Sequence, residues 1–415
     1  MRYFLTPFIV LACLPAFHAC GTALDPDGPG KDNNPRVEIK LSARETQFVT
    51  QGNTFAFRFL QQVDKSMAKD YIISPLSMQF LLGMILDGAK GETAADIASV
   101  LGYGADETEA VNDYCLSMLG QLPGLDKKTK LLIADAIVVD QGYDLLKNYK
   151  ETVAKYYKAE VSNLDFTDRK GSADKINKWC SDHTEGLIPH ILDETDPDML
   201  CYLLNALYFK SSWSSPFNKQ LTREEKFTLA DGSTKKAPMM KKTGEFRYGK
   251  GTSFEALRIP YGNGAYSMTV FLPANGNTLS DVIGEIGKTG WNAVTQKLHL
   301  VEAELWLPKF ETKYGEKLND ILSDMGMESS FLPTADFSAM SPDALCLSFV
   351  RQDAIIKVDE EGTEAAAVSS AGMAKNTSVG PSTFVVFHAD SPFLYVISEQ
   401  STGAVLFAGR YGCNP

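Results

Sequence analysis

Acid–base or metal chemistry would have to start from five histidines, His18, His183, His190, His299 and His388. None lies in an H-E-x-x-H pattern, and no G-x-S-x-G nucleophile turn occurs. The GAKGET stretch at 88–93 lacks phosphate-loop spacing, and YGNGAY at 261–266 lacks the third glycine of a dinucleotide loop. Seven cysteines, Cys13, Cys20, Cys115, Cys180, Cys201, Cys346 and Cys413, form no C-x-x-C pair and no metal-ligand spacing. Asn376, Thr377 and Ser378 form a glycosylation sequon by pattern alone. These residues give no support to an enzyme, and no cofactor or metal is expected.

The chemistry points instead to residues 357–387, KVDEEGTEAAAVSSAGMAKNTSVGPSTFVVF. Strand-like sequence turns acidic at Asp359, Glu360 and Glu361 and reaches Gly362. From Thr363 to Gly372 every side chain except Glu364 is small or β-branched, and strand sequence resumes at Thr383. A flexible surface loop is one reading. The other is a segment that stays in solvent in one state and lies inside a sheet in another. In a strand, Thr363, Ala365, Ala367, Ser369, Ala371 and Met373 would share one face, leaving Glu364 as the single charge on the other.

The run Glu360-Glu361-Gly362-Thr363-Glu364-Ala365-Ala366-Ala367 resembles the proximal hinge of the reactive-centre loop in inhibitory serpins. Four more stretches resemble that family in the same order. Ser74 and Ser77, in Tyr71–Ser77, match its shutter. Asn205 and Trp213, in Leu203–Trp213, match the shutter asparagine and the tryptophan where the loop first enters the sheet. Lys309, after Leu305-Trp306-Leu307-Pro308, matches the residue that pairs with Glu360, and the C-terminal HADSPFLYVISEQSTGAVLFAGR matches the last hairpin. The resemblance covers about residues 41 to 412. It implies an α+β serpin fold of three β-sheets and about eight or nine helices, with an exposed reactive-centre loop at about 360–383. The implied function is suicide-substrate inhibition of serine endopeptidases, trypsin-like or subtilisin-like and broad in range, extending to cysteine proteases. A monomer with no catalytic residues of its own is expected; a non-inhibitory binding protein on the same fold is the alternative.

Two departures from the family pattern stand out. Gln352 replaces the usual shutter histidine, which implies a latch of altered strength and weaker pH response. The span from Gly362 to Pro392 is about five residues longer than the family spacing. By family loop length the scissile bond follows Asn376, before Thr377; one residue earlier, Lys375 suits a trypsin-like pocket, and Met373 suits a chymotrypsin- or subtilisin-like one. Lys375–Asn376 is the first candidate and Asn376–Thr377 the second.

The rest of the chain must position that loop. The 415 residues are 44% hydrophobic and 22% charged, an ordinary globular composition. A net charge of −12 argues against nucleic acid or an anionic membrane as partner. Arg2 and the apolar run to Phe17 read as an export signal, residues 1–19, with Cys20 as a lipidation candidate. Residues 20–40 read as a tether and 41–415 as one domain. An outer-membrane lipoprotein is expected, with simple secretion as the alternative, so any membrane contact runs through the lipid alone. The five cysteines beyond Cys20 are odd in number, leaving at least one free; buried, inert thiols are expected for most.

Helical patterning is expected at Ala43–Ser66, and again from Pro75, capped by Ser74, to Gly102. Leu131–Val139 and Leu203–Trp213 read as strands, the second apolar on both faces as in a central strand. After Pro216 the chain reads as short strands with hairpin signals at Asp231-Gly232 and Asn263-Gly264. One helix is expected over Leu279–Leu298.

Overall fold

The computed structural model describes residues 34–104, 106–274, 276–348, 350–363 and 384–413. Helix α1 (Ala43–Ser66) opens with a capping box in which Ser42 accepts the Glu45 amide and Glu45 accepts the Ser42 amide. Its Phe48, Phe55 and Phe59 are fully buried. Strand β1 (Tyr71–Ile73) runs into α2 (Pro75–Gly88), capped by Ser74 with Pro75 in the first turn. The single helix read from Pro75 to Gly102 is broken at Ala89 and Lys90, and restarts as α3 (Gly91–Leu101). Packing and backbone explain the break: a Cβ on Gly88 would lie 2.7 Å from Met340, and Gly91 has φ +54°.

Helix and strand then alternate through α4 (Thr108–Gln121), β2 (Lys130–Asp140), α5 (Lys147–Tyr156), β3 (Glu160–Leu164), α6 (Arg169–His183) and β4 (Cys201–Ser212). Strands β5 (Arg223–Thr228), β6 (Thr234–Lys250), β7 (Phe254–Tyr261) and β8 (Tyr266–Pro273) follow. Short strands are read here, yet β6 runs 17 residues unbroken. It pairs in turn with β5, with β9 (His299–Pro308) and with β7, and partners along its whole length keep it extended. Between β8 and β9 the expected single helix is two, α7 (Leu279–Thr289) and α8 (Trp291–Gln296), divided at Gly290 with φ +87°. The chain continues through β10 (Phe310–Lys317), α9 (Asn319–Leu322), β11 (Arg351–Val358), β12 (Gly362–Thr363), β13 (Val385–His388), β14 (Phe393–Glu399) and β15 (Val405–Tyr411).

Hydrogen bonding organises these strands into two networks. One runs β1-β15-β14-β8-β7-β6-β9-β13, with β5 also on β6. The long β6 thus joins two of the three expected sheets: β7 takes its last four residues, while β9 and β5 take the rest. The other network runs β10-β11-β12-β4-β2-β3, with a direct β11–β4 contact. The main core lies between the sheets and under α1 and α2; a smaller apolar cluster, including Ala136, Val138, Ile176, Tyr202 and Leu204, seals α6 onto the opposite face of β2 and β4. No helix among the described residues is long and apolar enough to cross a membrane.

Candidate functional site

Strands β4 and β11 run parallel, but they touch at few points. Asp353 pairs with Ala206, and an isolated bridge joins Val350 to Leu203. Above these contacts they separate, and β12 occupies the upper end of the gap. It lies antiparallel to both neighbours: Gly362 faces Ser212, and Thr363 faces Ser211 on one side and Val358 on the other. The second network is therefore a sheet with a slot whose top holds two residues and whose bottom is closed.

A tight reversal brings the chain there. After Val358 the Asp359 amide donates to the Gly362 carbonyl at 2.9 Å. The Asp359 carboxylate accepts the Glu361 amide at 2.8 Å and the Gly362 amide at 3.2 Å. Gly362 is required twice over. Its φ is +155°, and a Cβ there would lie 2.1 Å from the Ser211 carbonyl oxygen. Thr363 is buried, and its hydroxyl lies 2.5 Å from that of Tyr261.

The reversal is clamped from three directions. Trp213 receives it: its amide donates to the Glu361 carbonyl at 2.8 Å and its indole N–H to the Asp359 carbonyl at 2.9 Å. The indole stacks on Tyr261 with centroids 4.4 Å apart. Glu360 is buried, meets Lys309 Nζ at 2.9 Å and accepts the Thr222 hydroxyl at 2.8 Å. Burial by itself would raise the Glu360 carboxyl, but the bonds from Lys309 and Thr222 outweigh it and hold the group below its ordinary pKa. Glu361 pairs with Lys219 at 2.5 Å.

A second cluster sits where the slot closes. Gln352 Nε2 donates to the Ser74 carbonyl, and Gln352 Oε1 accepts the Ser74 amide, both at 2.9 Å. The Ser74 hydroxyl donates to the Leu406 carbonyl at 2.8 Å, so one residue at the start of α2 ties β11 to β15. Ser77 donates its hydroxyl to Asn205 Oδ1, and Asn205 Nδ2 donates to Asp135 Oδ1 at 2.7 Å. Gln352 thus supplies a two-point backbone latch with no titratable group.

Ser74, Ser77, Asn205 and Gln352 gather at the closed end of the slot; Trp213, Lys309, Glu360, Gly362 and Thr363 gather at its mouth. Glu364, Ala365, Ala366, Ala367, Met373, Lys375, Asn376, Thr377 and Cys20 lie outside the described residues. Tyr261, Thr222, Lys219 and Asp135 belong to these clusters and were not singled out from sequence. Of these, only Asp135 carried a signal, a lone charge inside the apolar run Leu131–Val139. All five cysteines among the described residues are free, three of them buried. No group of three or more His, Cys, Asp or Glu among those residues could hold a metal ion.

The family model described as Serpin (serine protease inhibitor) matches residues 50–415, and the chain belongs to that family. The serine protease inhibitor 42Dd of Drosophila melanogaster is 32% identical over 348 residues, covering 82% of this chain and 91% of that protein. The crystal structure of a thermophilic serpin, tengpin, in the native state is 29% identical with a TM-score of 0.79, covering 91% of this chain and 96% of that one. Human thyroxine-binding globulin complexed with its hormone superposes with a TM-score of 0.81 at 24% identity, covering 90% and 100%, a likeness of fold. Members of the family are for the most part protease inhibitors, not catalysts, although some are non-inhibitory.

Proposed function

We propose that this chain is a suicide-substrate inhibitor of serine endopeptidases, and of cysteine proteases that accept the same loop. The observation that carries the reading is β12, a two-residue antiparallel strand held at the mouth of a slot between two parallel strands. The reaction begins as ordinary proteolysis: a protease takes the loop as substrate, and its nucleophile forms an acyl-enzyme at the scissile carbonyl. Cleavage frees the N-terminal limb, which zips down the slot as a full strand. At about 3.3 Å per residue, some thirteen residues carry the attached protease about 45 Å, enough to pull its active site apart before water releases it.

The strand register says what the limb would meet. Continued from Gly362–Ser212 and Thr363–Val358, it sets Glu364 between Lys210 and Lys357 and Ala365 between Phe209 and Ile356. Ala367 would fall between Leu207 and Ala354, and Ser369 between Asn205 and Gln352. Phe209, Ile356, Leu207 and Ala354 are buried, so small side chains suit that face, whereas Lys357 is exposed. The single charge would land between two cations and the methyl groups would land in the core.

Lys375–Asn376 is the first candidate for the cleaved bond and Asn376–Thr377 the second, with Met373 serving other pockets. The protein acts as an exported monomer, anchored through lipidated Cys20 or secreted. Incubation with trypsin, subtilisin and elastase, read on denaturing gels and by mass spectrometry of the released peptide, tests both the trap and the bond. A covalent complex that survives denaturant is expected. Clean turnover of the loop without any complex would instead favour a non-inhibitory binding protein.

A further inference from the structure

Asp135 lies directly across the strand pair from Asn205 and is 1% exposed. One carboxylate oxygen accepts the Asn205 amide, while the other is buried with no hydrogen-bond partner among the described residues. Asn205 in turn accepts the Ser77 hydroxyl of α2, and its neighbour Ala206 makes the β4–β11 contact that closes the slot. The carboxyl therefore ends a row, Asp135–Asn205–Ser77, that ties β2 and β4 to α2 where the sheet must part.

The groups around it are few. Asn205 faces it from β4 and the Cys115 thiol from α4; beyond Cys115 lie the Asp87 carboxyl of α2 and the Tyr157 hydroxyl after α5. Gln352 of β11 is neutral and bonded to Ser74. Arg351 and Asp353 of β11 pair with each other at 2.7 Å and act on Cys180 of α6, on the opposite face of the sheet. Glu160 of β3 opposes Ala136, is exposed, and bonds Trp179 of α6. No lysine or arginine among the described residues offsets a charge on Asp135.

We propose that Asp135 is a proton-dependent positioning residue for loop insertion, which it controls through Asn205 and Ser77. Ionised, the carboxylate leaves one oxygen dry and holds Asn205 by a single bond. A proton taken from solvent onto that oxygen lets it donate to Asn205 Oδ1 while the other still accepts Asn205 Nδ2–H. The amide oxygen has a second lone pair for Ser77, so the row gains a bond and loses none. Protonation thus fastens β2, β4 and α2 together, and ionisation loosens them. Burial pushes the Asp135 carboxyl up to about 7, against the pull of the Asn205 bond. For a raised carboxyl, the contribution to stability is complete below the unfolded value and is lost as pH rises through the folded one. The closed sheet is therefore tighter in mild acid and opens more readily above neutrality.

This inference rests on the insertion reading for its consequence but not for its test. Intact protein, with no protease present, is melted at about pH 5.5, 7 and 8.5 as wild type, Asp135→Asn and Asp87→Asn. Wild type is expected to melt lower and to convert faster to a denaturant-resistant form as pH rises across that range, whereas Asp135→Asn keeps only the smaller loss, confined to below about pH 7, that belongs to Asp87. Asp87→Asn should keep the step, because burial raises the Asp87 carboxyl only to about 6. A flat wild type, or an Asp135→Asn protein that loses as much as wild type, overturns the proposal whether or not a protease complex ever forms. Should Asp135→Asn not fold, infrared spectra of the Asp87→Asn protein decide. A protonated-carboxyl band that disappears as pH rises through about 7 supports the proposal, and its absence in mild acid refutes it.

Discussion

Glu360 shows how one side chain can hold the mouth of the slot. It is buried, carries a charge, and is stabilised by Lys309 and Thr222. Removing the charge-assisted bonds by Glu360→Gln should weaken the clamp by about 1.5–3 kcal/mol. Because its pKa is lowered, the stabilisation is present above the ordinary carboxylate range and is lost as pH falls through it. The intact protein is thus expected to convert to the inserted form faster in strong acid than at neutrality, and Glu360→Gln should convert fast at both. Conversion rates that match wild type at both values would show that the pair does not guard the slot. Glu364 belongs to the same scale. Opposite-charge neighbours across strands contribute roughly 0.2–1 kcal/mol each, and like charges oppose pairing by similar amounts. Glu364→Lys, set beside Lys210 and Lys357, should shift partitioning toward simple cleavage by at least about fourfold. The stoichiometry of inhibition reads this directly; an unchanged value would mean that the limb enters in another register.

At the scale of elements, the proposed mechanism makes β12 the seed of a longer strand, so anything that stops its growth should leave binding intact and abolish the trap. Ala365→Pro removes a ladder donor inside a central strand, and Thr363→Arg forces a charge into a buried position beside Tyr261. Each is expected to turn the protein into a substrate, with the insertion rate falling about tenfold for every 1.4 kcal/mol added to the insertion barrier and covalent complex lost once hydrolysis is faster. Undiminished complex from either variant would rule out this limb as the entering strand. The same scale explains which elements could be read in advance. The ends of α1, the Ser74 cap and the apolar β4 follow from local chemistry. Gly88 packed on Met340 and the long β6 depend on partners far away in sequence, whereas the turn at Gly290, with φ +87° and nothing within 4 Å of a Cβ placed there, is a local break that the helical pattern hides.

For the whole molecule, the open slot means a sheet short of one central strand. On the proposed mechanism, filling it would add two ladders of backbone bonds and bury the alanine methyls with no new covalent bond. Cleavage in the loop should therefore raise the melting temperature by more than about 10 °C, even though each kcal/mol is worth only about 1–2 °C in a chain this large. Calorimetry of intact and clipped protein checks it, and equal melting would remove the driving force from the mechanism.

The sequence alone determined the family resemblance, the small-residue limb after Gly362, the partnership of Lys309 with Glu360 and the replacement of a shutter histidine by Gln352. These are properties of local runs, where residue size, charge and spacing act directly. Tertiary structure decided the rest: that two hinge residues already sit between β4 and β11, that Tyr261 stacks on Trp213 beside them, and that Asp135 lies buried across from Asn205. A strand's neighbours are chosen by packing between distant segments, so no window of sequence could have placed a lone carboxyl beside the gate.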